Sequence, residues 1–247
     1  MELYHVVILG FVMGVVTSIC GGAGIFAVPL MIALGVPAVN VLTLNRMSDV
    51  GVVLGSLKNY IDSKSIDWSL AIKGCFIVAF GAILGVNISL WLPENILKMV
   101  ILVGVSVGIF FLIKPVKRVK KSKANIQFWV WLLLWASGVW SGALGMAGGM
   151  FSVLVFVRFF HKEFLPARTT QIVMAIPETL ISTSFLVFGS TLTWQPLVTM
   201  FFSSFVGAWL GAKIAVKQGS HFIQKAMIGI AVIMVFKVLY DLNIFSY

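Results

Sequence analysis

Charged residues and cysteines are both scarce in this chain of 247 residues, and each scarcity excludes a class of protein. Asp, Glu, Lys and Arg together make up 11%, whereas hydrophobic residues make up 60% and the mean hydropathy is +1.06. Soluble globular domains have a lower apolar share, so the composition excludes a soluble fold. The two cysteines, Cys20 and Cys75, lie inside apolar runs, which argues against a disulfide framework and against a cysteine metal site.

The chain also lacks the signatures of the common enzyme classes. Its three histidines lie at the ends of apolar segments, so no intramembrane Ser–His pair is indicated, and 138–142 does not fit the G-x-S-x-G spacing. No G-x-x-x-x-G-K-[ST] motif is present, which argues against ATP hydrolysis by a P-loop. No Lys or Arg precedes Arg46, so the first apolar segment is not expected to be a cleaved signal peptide. We therefore expect neither an enzyme nor a bound cofactor or metal.

Apolar segments of membrane-spanning length recur along the whole chain, and their pattern occurs twice. The segments are 3–35, 40–61, 68–92 and 95–114, and then, after a basic stretch, 127–160, 166–188, 193–216 and 222–243. When the sequence is shifted by 126 residues against itself, Gly81–Gly85 aligns with Gly207–Gly211, and both segments have the pattern G-A-x-L-G. We predict two membrane repeats, 1–114 and 127–247, joined by a basic cytoplasmic linker at 115–126.

Glycine clusters at 21–24 and 145–149 interrupt the first segment of each repeat, and the basic residues indicate the topology. If each broken segment crossed the membrane once, the basic residues would be divided between the two sides. If each is a hairpin, all basic residues other than Arg46 lie on or near the cytoplasmic side except Lys98 and Lys237, as the positive-inside rule favours. Each half then crosses an odd net number of times, so the halves are inverted. The same rule explains the net charge of +10 more simply than nucleic-acid binding does.

The predicted fold class is therefore an all-α polytopic membrane protein. It has two inverted-topology repeats, each a Gly-broken helix hairpin plus three transmembrane helices. Broken apolar segments at corresponding positions of two repeats are typical of the central binding site of a secondary transporter.

The glycine breaks are the first candidate part of such a site. A new helix is expected to start near Ile25 and near Met150, and its first N–H groups carry the positive end of the helix dipole. Such a helix start binds anions. The alternative is close helix packing, which fits Gly81/Gly85 and Gly207/Gly211 better than the clusters. The predicted substrate-binding residues here are Gly21, Gly22, Gly24, Ile25, Gly145, Gly148 and Gly149.

Polar residues in the second helix of each repeat are the other candidate part. We predict substrate contacts from Asn45, Arg46, Thr170 and Gln171, and proton coupling by Glu178 and Asp49, because ionisable residues at bilayer depth are costly and often functional. Arg46 can pair with Asp49 three residues away, extend toward the surface, or contact an anion. Glu178 has no basic neighbour in its own helix, which favours it over Asp49 for coupling. Arg168 is expected to anchor a helix end at the membrane boundary.

These glycine-rich runs resemble one known family. Residues 10–30, with Gly21-Gly22-Ala23-Gly24, resemble the opening of sulfite-exporter (TauE/SafE-type) permeases, and 141–149 resemble its second copy. The loops Leu34-Gly35-Val36-Pro37 and Asp67-Trp68 are also similar, so the resemblance covers essentially the whole chain. It implies transport of sulfite, sulfonates or related organic anions. Where that family usually has a small Thr-Ser pair, this chain has Thr43-Leu44-Asn45-Arg46.

We therefore expect a secondary transporter that moves a small anion through a midplane site, driven by a proton gradient or by the substrate gradient. A passive anion channel and a non-transporting membrane assembly or accessory factor are the alternatives. The expected partners are a small anionic substrate and the lipid bilayer, with a homodimer as a candidate assembly and no nucleic acid. The expected location is a bacterial or archaeal plasma membrane.

Overall fold

The computed structural model describes residues 3–113 and 128–244, with side chains for 3–104 and 128–229. The predicted linker at 115–126 lies outside the described residues. Within them every regular element is a helix, and the bounds are α1 Leu3–Cys20, α2 Gly24–Ala33, α3 Ala38–Asp62, α4 Trp68–Trp91, α5 Glu94–Ile113, α6 Phe128–Leu144, α7 Gly148–Phe159, α8 Phe164–Gly189 and α9 Trp194–Ile244.

Several of these helices are long and apolar enough to cross a bilayer. Four qualify by length and composition among the described residues: α1, α4, α8 and the part of α9 from Trp194 to Gly229. The outward faces of these helices carry large apolar side chains, such as Phe76, Phe80 and Phe188, which are 67%, 68% and 91% exposed in the single chain. This confirms the predicted all-α polytopic membrane fold.

Both predicted breaks are present, and each separates a long helix from a short one. Gly21 and Gly145, the first residues after α1 and α6, have φ angles of +82° and +66°, a region that glycine occupies without steric cost. The short helices α2 and α7 begin at Gly24 and Gly148, inside the glycine clusters. With 10 and 12 residues they extend about 15 and 18 Å, too little to cross a ~30 Å hydrocarbon core.

The G-A-x-L-G segments pack against the first helix of the opposite repeat. A Cβ added at Gly85 in α4 would lie 2.0 Å from the carbonyl oxygen of Val139 in α6. A Cβ added at Gly207 in α9 would likewise lie 2.2 Å from the carbonyl oxygen of Phe11 in α1. Only glycine permits this approach of two backbones, so these glycines serve helix packing. The two contacts are reciprocal between the repeats.

The second helices, α3 and α8, run antiparallel through the centre of the molecule. Asn40, near the start of α3, donates to Oγ1 of Thr191, just beyond the end of α8, over 2.9 Å. At the opposite end, the backbone N–H of Asp67 donates over 3.0 Å to Oγ1 of Thr170, near the start of α8. The midpoints of α3 and α8 therefore face each other between these two contacts.

An ion pair joins the loop after α3 to the loop after α7. Nζ of Lys162 lies 2.6 Å from Oδ2 of Asp67, so the two loops are at the same end of the molecule. Eight simple crossings would place them on opposite membrane surfaces, whereas hairpins at the two breaks place them together. The Lys162 ammonium holds the pKa of the Asp67 carboxyl below its usual value, helped by the backbone N–H of Leu70.

The last long helix contains a sharp bend. Gly219 in α9 has φ 76° and ψ −170°, which is not helical, so α9 is two helices in direct succession. The bend falls between the segments 193–216 and 222–243 that the hydropathy predicts.

Candidate substrate site

A cavity lies at the centre of the described part of the chain, between the two glycine breaks and the facing halves of α3 and α8. Its lining comes from both repeats and consists of Thr17, Gly21, Gly22, Ala23, Gly24, Arg46, Asp49, Val52, Val53, Ser141, Gly145, Met146, Ala147, Gly148, Gly149, Arg168, Gln171, Ile172, Ala175, Glu178 and Thr179. Ten of the thirteen residues predicted from the sequence are in this set: Gly21, Gly22, Gly24, Arg46, Asp49, Gly145, Gly148, Gly149, Gln171 and Glu178. Their role in binding and coupling stays a prediction.

Three of the predicted residues lie behind the lining. Ile25 is fully buried in the apolar core. Thr170 accepts the backbone hydrogen bond of Asp67 and is also fully buried, so it joins the two repeats near the end of the site. The third, Asn45, lies outside the lining and contacts both glycine breaks.

Asn45 connects the glycine break of the second repeat to the first repeat. Its Nδ2 donates to the carbonyl oxygen of Gly145. A Cβ added at Gly145 would lie 2.8 Å from Nδ2 of Asn45, and one added at Gly24 would lie 2.7 Å from its Oδ1. The side chain of Asn45 therefore fits between the two breaks only because both positions are glycine.

Other glycines of the two breaks are packed as closely against protein atoms. A Cβ at Gly148 would lie 2.3 Å from Cβ of Ser141, and one at Gly149 would lie 2.9 Å from Nε2 of Gln171. The missing side chains of Gly24 and Gly148 thus point at protein atoms and not into open space. A larger residue at either position would displace neighbouring protein atoms, so its effect on transport would not report on ligand contact alone.

Neither short helix has a side chain that caps its start. The residues before α2 and α7 are Ala23 and Ala147, and no side-chain hydrogen bond caps either helix. At α2, the N–H groups of Ile25 and Phe26 turn back to the carbonyl oxygens of Gly22 and Ala23. These two hydrogen bonds occupy N–H groups that were predicted to bind an anion. The positive ends of both helix dipoles still face the cavity, and no side chain caps either helix start.

Arg46 is the central charged group of the cavity. It is 1% exposed, and its Nη1 lies 3.4 Å from Oδ2 of Asp49 and 3.3 Å from Oε1 of Glu178. Its Nη2 donates to Oγ of Ser141 over 3.1 Å. Its Nε is buried without a hydrogen-bond partner in the structure. The sequence indicated no basic neighbour of Glu178 within its own helix, and the structure adds a basic partner from the other repeat, Arg46.

Arg168 is buried as well, which corrects its predicted role as an anchor at the membrane boundary. It is 2% exposed, and its Nε donates over 3.0 Å to the carbonyl oxygen of Ser18, while Nη2 donates to that of Thr17. Its Nη1 donates to Oε1 of Gln171. The two carbonyls belong to the last turn of α1, at the negative end of the helix dipole, where a cation is favourable.

Arg168 differs from Arg46 in its counter-charge. Within the part of the chain whose side chains are described, no carboxylate lies within 4.0 Å of Arg168, whereas Arg46 has two. Each arginine contacts the break of the opposite repeat: Nη1 of Arg168 is 3.2 Å from a Cβ built at Gly21, and Nε of Arg46 is 3.4 Å from one built at Gly145. The cavity therefore has one cation with carboxylate partners and one without.

Equivalent positions of the two repeats show where the site is symmetric and where it is not. The hydroxyl residues Thr17 and Ser141 are equivalent, since both stand four residues before the first glycine of a break. The charged residues have apolar equivalents 126 positions away: Ile172 for Arg46, Ala175 for Asp49, Val52 for Glu178 and Leu42 for Arg168. The backbone scaffold is thus repeated, while the charges occur once.

Sequence reasoning missed Arg168, Thr17 and Ser141 as lining residues. The equivalence of Thr17 and Ser141 was a usable signal, because both hydroxyls precede a break by the same number of residues. Arg168 gave no such signal, because its burial depends on the end of α1, about 150 residues earlier in the chain.

The long apolar helices, the two broken helices and the buried charges around a central cavity define a multi-pass helical membrane protein of the transporter class. Residues 6–238 match the family model described as "Sulfite exporter TauE/SafE", and the chain belongs to this family of membrane transporters. The resemblance inferred from the glycine-rich runs is thereby confirmed.

Similar proteins cover nearly the whole chain. A "Probable membrane transporter protein" of Haemophilus influenzae is 24% identical over 97% of this chain and 95% of its own length. The "Probable membrane transporter protein YfcA" of Escherichia coli K12 is 22% identical over 92% and 86%. The "Probable membrane transporter protein ORF9" of a Sinorhizobium species is 22% identical over 95% and 91%. No solved structure matches the chain.

Proposed function

We propose that this protein is a secondary transporter that carries a small anion, such as sulfite, a sulfonate or a related organic anion, through the cavity between its glycine breaks. The observation that carries the proposal is Arg168, a buried guanidinium on the cavity wall without a carboxylate partner among the described side chains. Because no described carboxylate is in contact with this guanidinium, an anion in the cavity can approach it directly and form a charge-assisted contact. The uncapped starts of α2 and α7 add positive potential at the same place.

Alternating access would follow from two inverted repeats that move around this fixed site. Three observations support that arrangement. The first helix of each repeat packs on the G-A-x-L-G helix of the other. The second helices, α3 and α8, run antiparallel. The Asp67–Lys162 ion pair joins the loop after α3 to the loop after α7 at one end of the molecule, where hairpins at the two glycine breaks would also bring them together.

Proton coupling through Glu178 or Asp49 is part of the proposal. Both carboxylates line the cavity near the middle of their helices, and both lie against Arg46. Sequence reasoning favoured Glu178 because it had no basic neighbour, but the similar distances to Nη1 remove that distinction. The remaining difference is burial, since the side chain of Glu178 is 5% exposed and that of Asp49 is 20% exposed.

The proposed location is a bacterial plasma membrane, with the linker 115–126 and the Lys162 loop in the cytoplasm. The relatives named above are bacterial, and the distribution of basic residues gives this orientation under the positive-inside rule.

Counterflow in vesicles tests the proposal. Purified protein should take up ³⁵S-sulfite saturably, and unlabelled sulfite inside the vesicles should accelerate that uptake, which a passive channel would not show. Arg168→Met should reduce the rate by at least about tenfold, a loss of 1.4 kcal/mol of anion stabilisation. Arg168→Lys should retain part of it, because the charge remains while the planar fork is lost.

The matched control is Lys98→Met, which removes a cation at the protein surface. Lys98 is 40% exposed, pairs with Glu94 over 2.8 Å and does not line the cavity, so uptake should be unchanged. Absence of saturable uptake by the wild-type protein would overturn the proposed function. Full uptake by a properly inserted Arg168→Met protein would remove the cavity as the anion site.

A further inference from the structure

We infer that the anion and the two carboxylates compete for Arg46, so that the site takes up one proton for each negative charge of the anion it carries. Transport would then move no net charge across the membrane. The inference rests on the proposed anion transport and extends it to the stoichiometry of coupling and to the residue that enforces it.

Arg46 holds its two carboxylates only loosely. Asp49 and Glu178 approach the same nitrogen, Nη1, at 3.4 and 3.3 Å. Ionic hydrogen bonds of this kind are usually 2.7–2.9 Å long, so neither carboxylate is held tightly. The guanidinium can therefore exchange one acceptor for another without breaking a strong bond.

Arg46 also has a donor available for an incoming anion. Its Nε is buried and unpartnered, and it lies 3.4 Å from the place where a side chain at Gly145 would begin. This nitrogen thus faces the break from which α7 starts. An oxyanion at that break would bind Nε and draw the guanidinium away from Asp49 and Glu178.

The lining of the cavity contains two basic and two acidic residues. The charged lining residues are Arg46 and Asp49 from α3 and Arg168 and Glu178 from α8. The parts of α1, α2, α6 and α7 that line it contribute only neutral side chains, and Tyr60 and Cys20 lie near Arg168 outside the lining. With both carboxylates ionised, the four charges cancel.

A monovalent anion would give this cavity one uncompensated negative charge, which a low-dielectric interior disfavours strongly. The charge is removed when a carboxylate oxygen of Glu178 or Asp49 forms an O–H bond with a proton from the side on which the anion entered. The proton leaves with the anion on the other side. Because the equivalent positions Val52 and Ala175 are apolar, each chain has a single set of these groups.

Methanesulfonate is a suitable probe, because it is a monovalent sulfonate that carries no dissociable proton in the working pH range. The full-length protein is reconstituted in vesicles that contain a pH-sensitive dye, with the membrane potential set by potassium and valinomycin. We expect one proton to enter with each anion and the initial rate to be independent of the membrane potential. Uptake without proton entry, or with a rate that follows the potential, would overturn the inference.

Variants locate the effect in the carboxylates. Glu178→Gln and Asp49→Asn each leave the empty cavity with one positive charge, so a monovalent anion neutralises it without a proton. The proton-to-anion ratio should fall from one toward zero, and the rate should become sensitive to the potential. Glu94→Gln, which changes an exposed carboxyl at the start of α5, should keep the ratio of one. A ratio of one in both cavity variants would overturn the inference.

The same vesicles separate this inference from the proposed function. If methanesulfonate is not taken up, the inference fails, and counterflow of ³⁵S-sulfite then shows whether anion transport fails too. If sulfite counterflow is present while proton-linked uptake is not, anion transport stands and the coupling stoichiometry is wrong.

Discussion

Nη1 of Arg46 and Oε1 of Glu178 lie 3.3 Å apart, although the two residues are 132 positions apart and belong to different repeats. The contact is buried and lies where α3 and α8 face each other, beside both glycine breaks. It joins the two repeats through a pair of charges at the centre of the cavity. An anion that binds there must therefore act on the interface between the repeats.

The side of the membrane on which the loops lie can be tested with single cysteines. Lys64, Glu163 and Asn95 are all exposed, and the hairpin topology places the first two in the cytoplasm and the third outside. In a background without Cys20 and Cys75, an impermeant thiol reagent on intact cells should label Asn95→Cys alone. Labelling of position 163 but not of position 64 would contradict the hairpins.

Asn45 should affect substrate affinity through its hydrogen bond to the glycine break of the second repeat. Asn45→Ala leaves the buried carbonyl of Gly145 without its hydrogen bond, which typically costs about 1–3 kcal/mol. We expect sulfite affinity, measured from counterflow, to fall by about tenfold or more. Asn87→Ala is the control, because Asn87 donates to the carbonyl of Ile83 in its own helix over 2.7 Å and does not line the cavity. Equal losses in the two variants would show that Asn45 has no special role.

Close packing between α4 and α6 predicts a large cost at Gly85. A Cβ there would lie 2.0 Å from the carbonyl oxygen of Val139, so Gly85→Ala must separate two backbones and should destabilise the protein by about 1–3 kcal/mol. Gly229→Ala is the matched control, because no atom of the described side chains and backbone lies within 4 Å of its added Cβ, and Ala is the better helix former. Thermal unfolding in detergent should show a lower midpoint for the first variant only.

The Asp67–Lys162 pair predicts a pH dependence of stability with a definite sign. The folded-state pKa of Asp67 is below its unfolded value, so its contribution is fully present above that unfolded value, about 3.9, and is lost as the pH falls through the folded pKa. The pair is partly exposed, so the contribution should be at most about 1 kcal/mol.

Two substitutions at this position separate the ion pair from the helix cap. Asp67→Asn loses the pair with Lys162 but can still accept from the N–H of Leu70, whereas Asp67→Ala loses both and should cost about 1 kcal/mol more. Unfolding curves at pH 7 and at about pH 2.5, below the unfolded pKa of Asp67, measure both effects. Identical stability of the two variants would show that the cap contributes nothing.

Much of the fold could be predicted from the sequence, because a bilayer imposes few and strong rules. Apolar length predicted the helices to within a few residues, and the glycine clusters predicted the breaks at Gly21 and Gly145, where the backbone has positive φ. The site was harder to predict. The partner of Glu178 lies in another helix, so only the packing of α3 against α8 could show it. Arg168 resembled a boundary residue because it lies near the end of its helix, and nothing in the sequence indicated that carbonyls of α1 would accept its hydrogen bonds.

Anomalous diffraction from a bound anion tests the central claim most directly. Selenite resembles sulfite in charge and shape, and its selenium gives an anomalous signal that identifies its position. Crystals grown with selenite at concentrations that saturate competition with sulfite should show one peak between the two breaks, within hydrogen-bonding distance of Nε of Arg46 or the guanidinium of Arg168. A peak elsewhere, or an empty cavity under those conditions, would contradict the account.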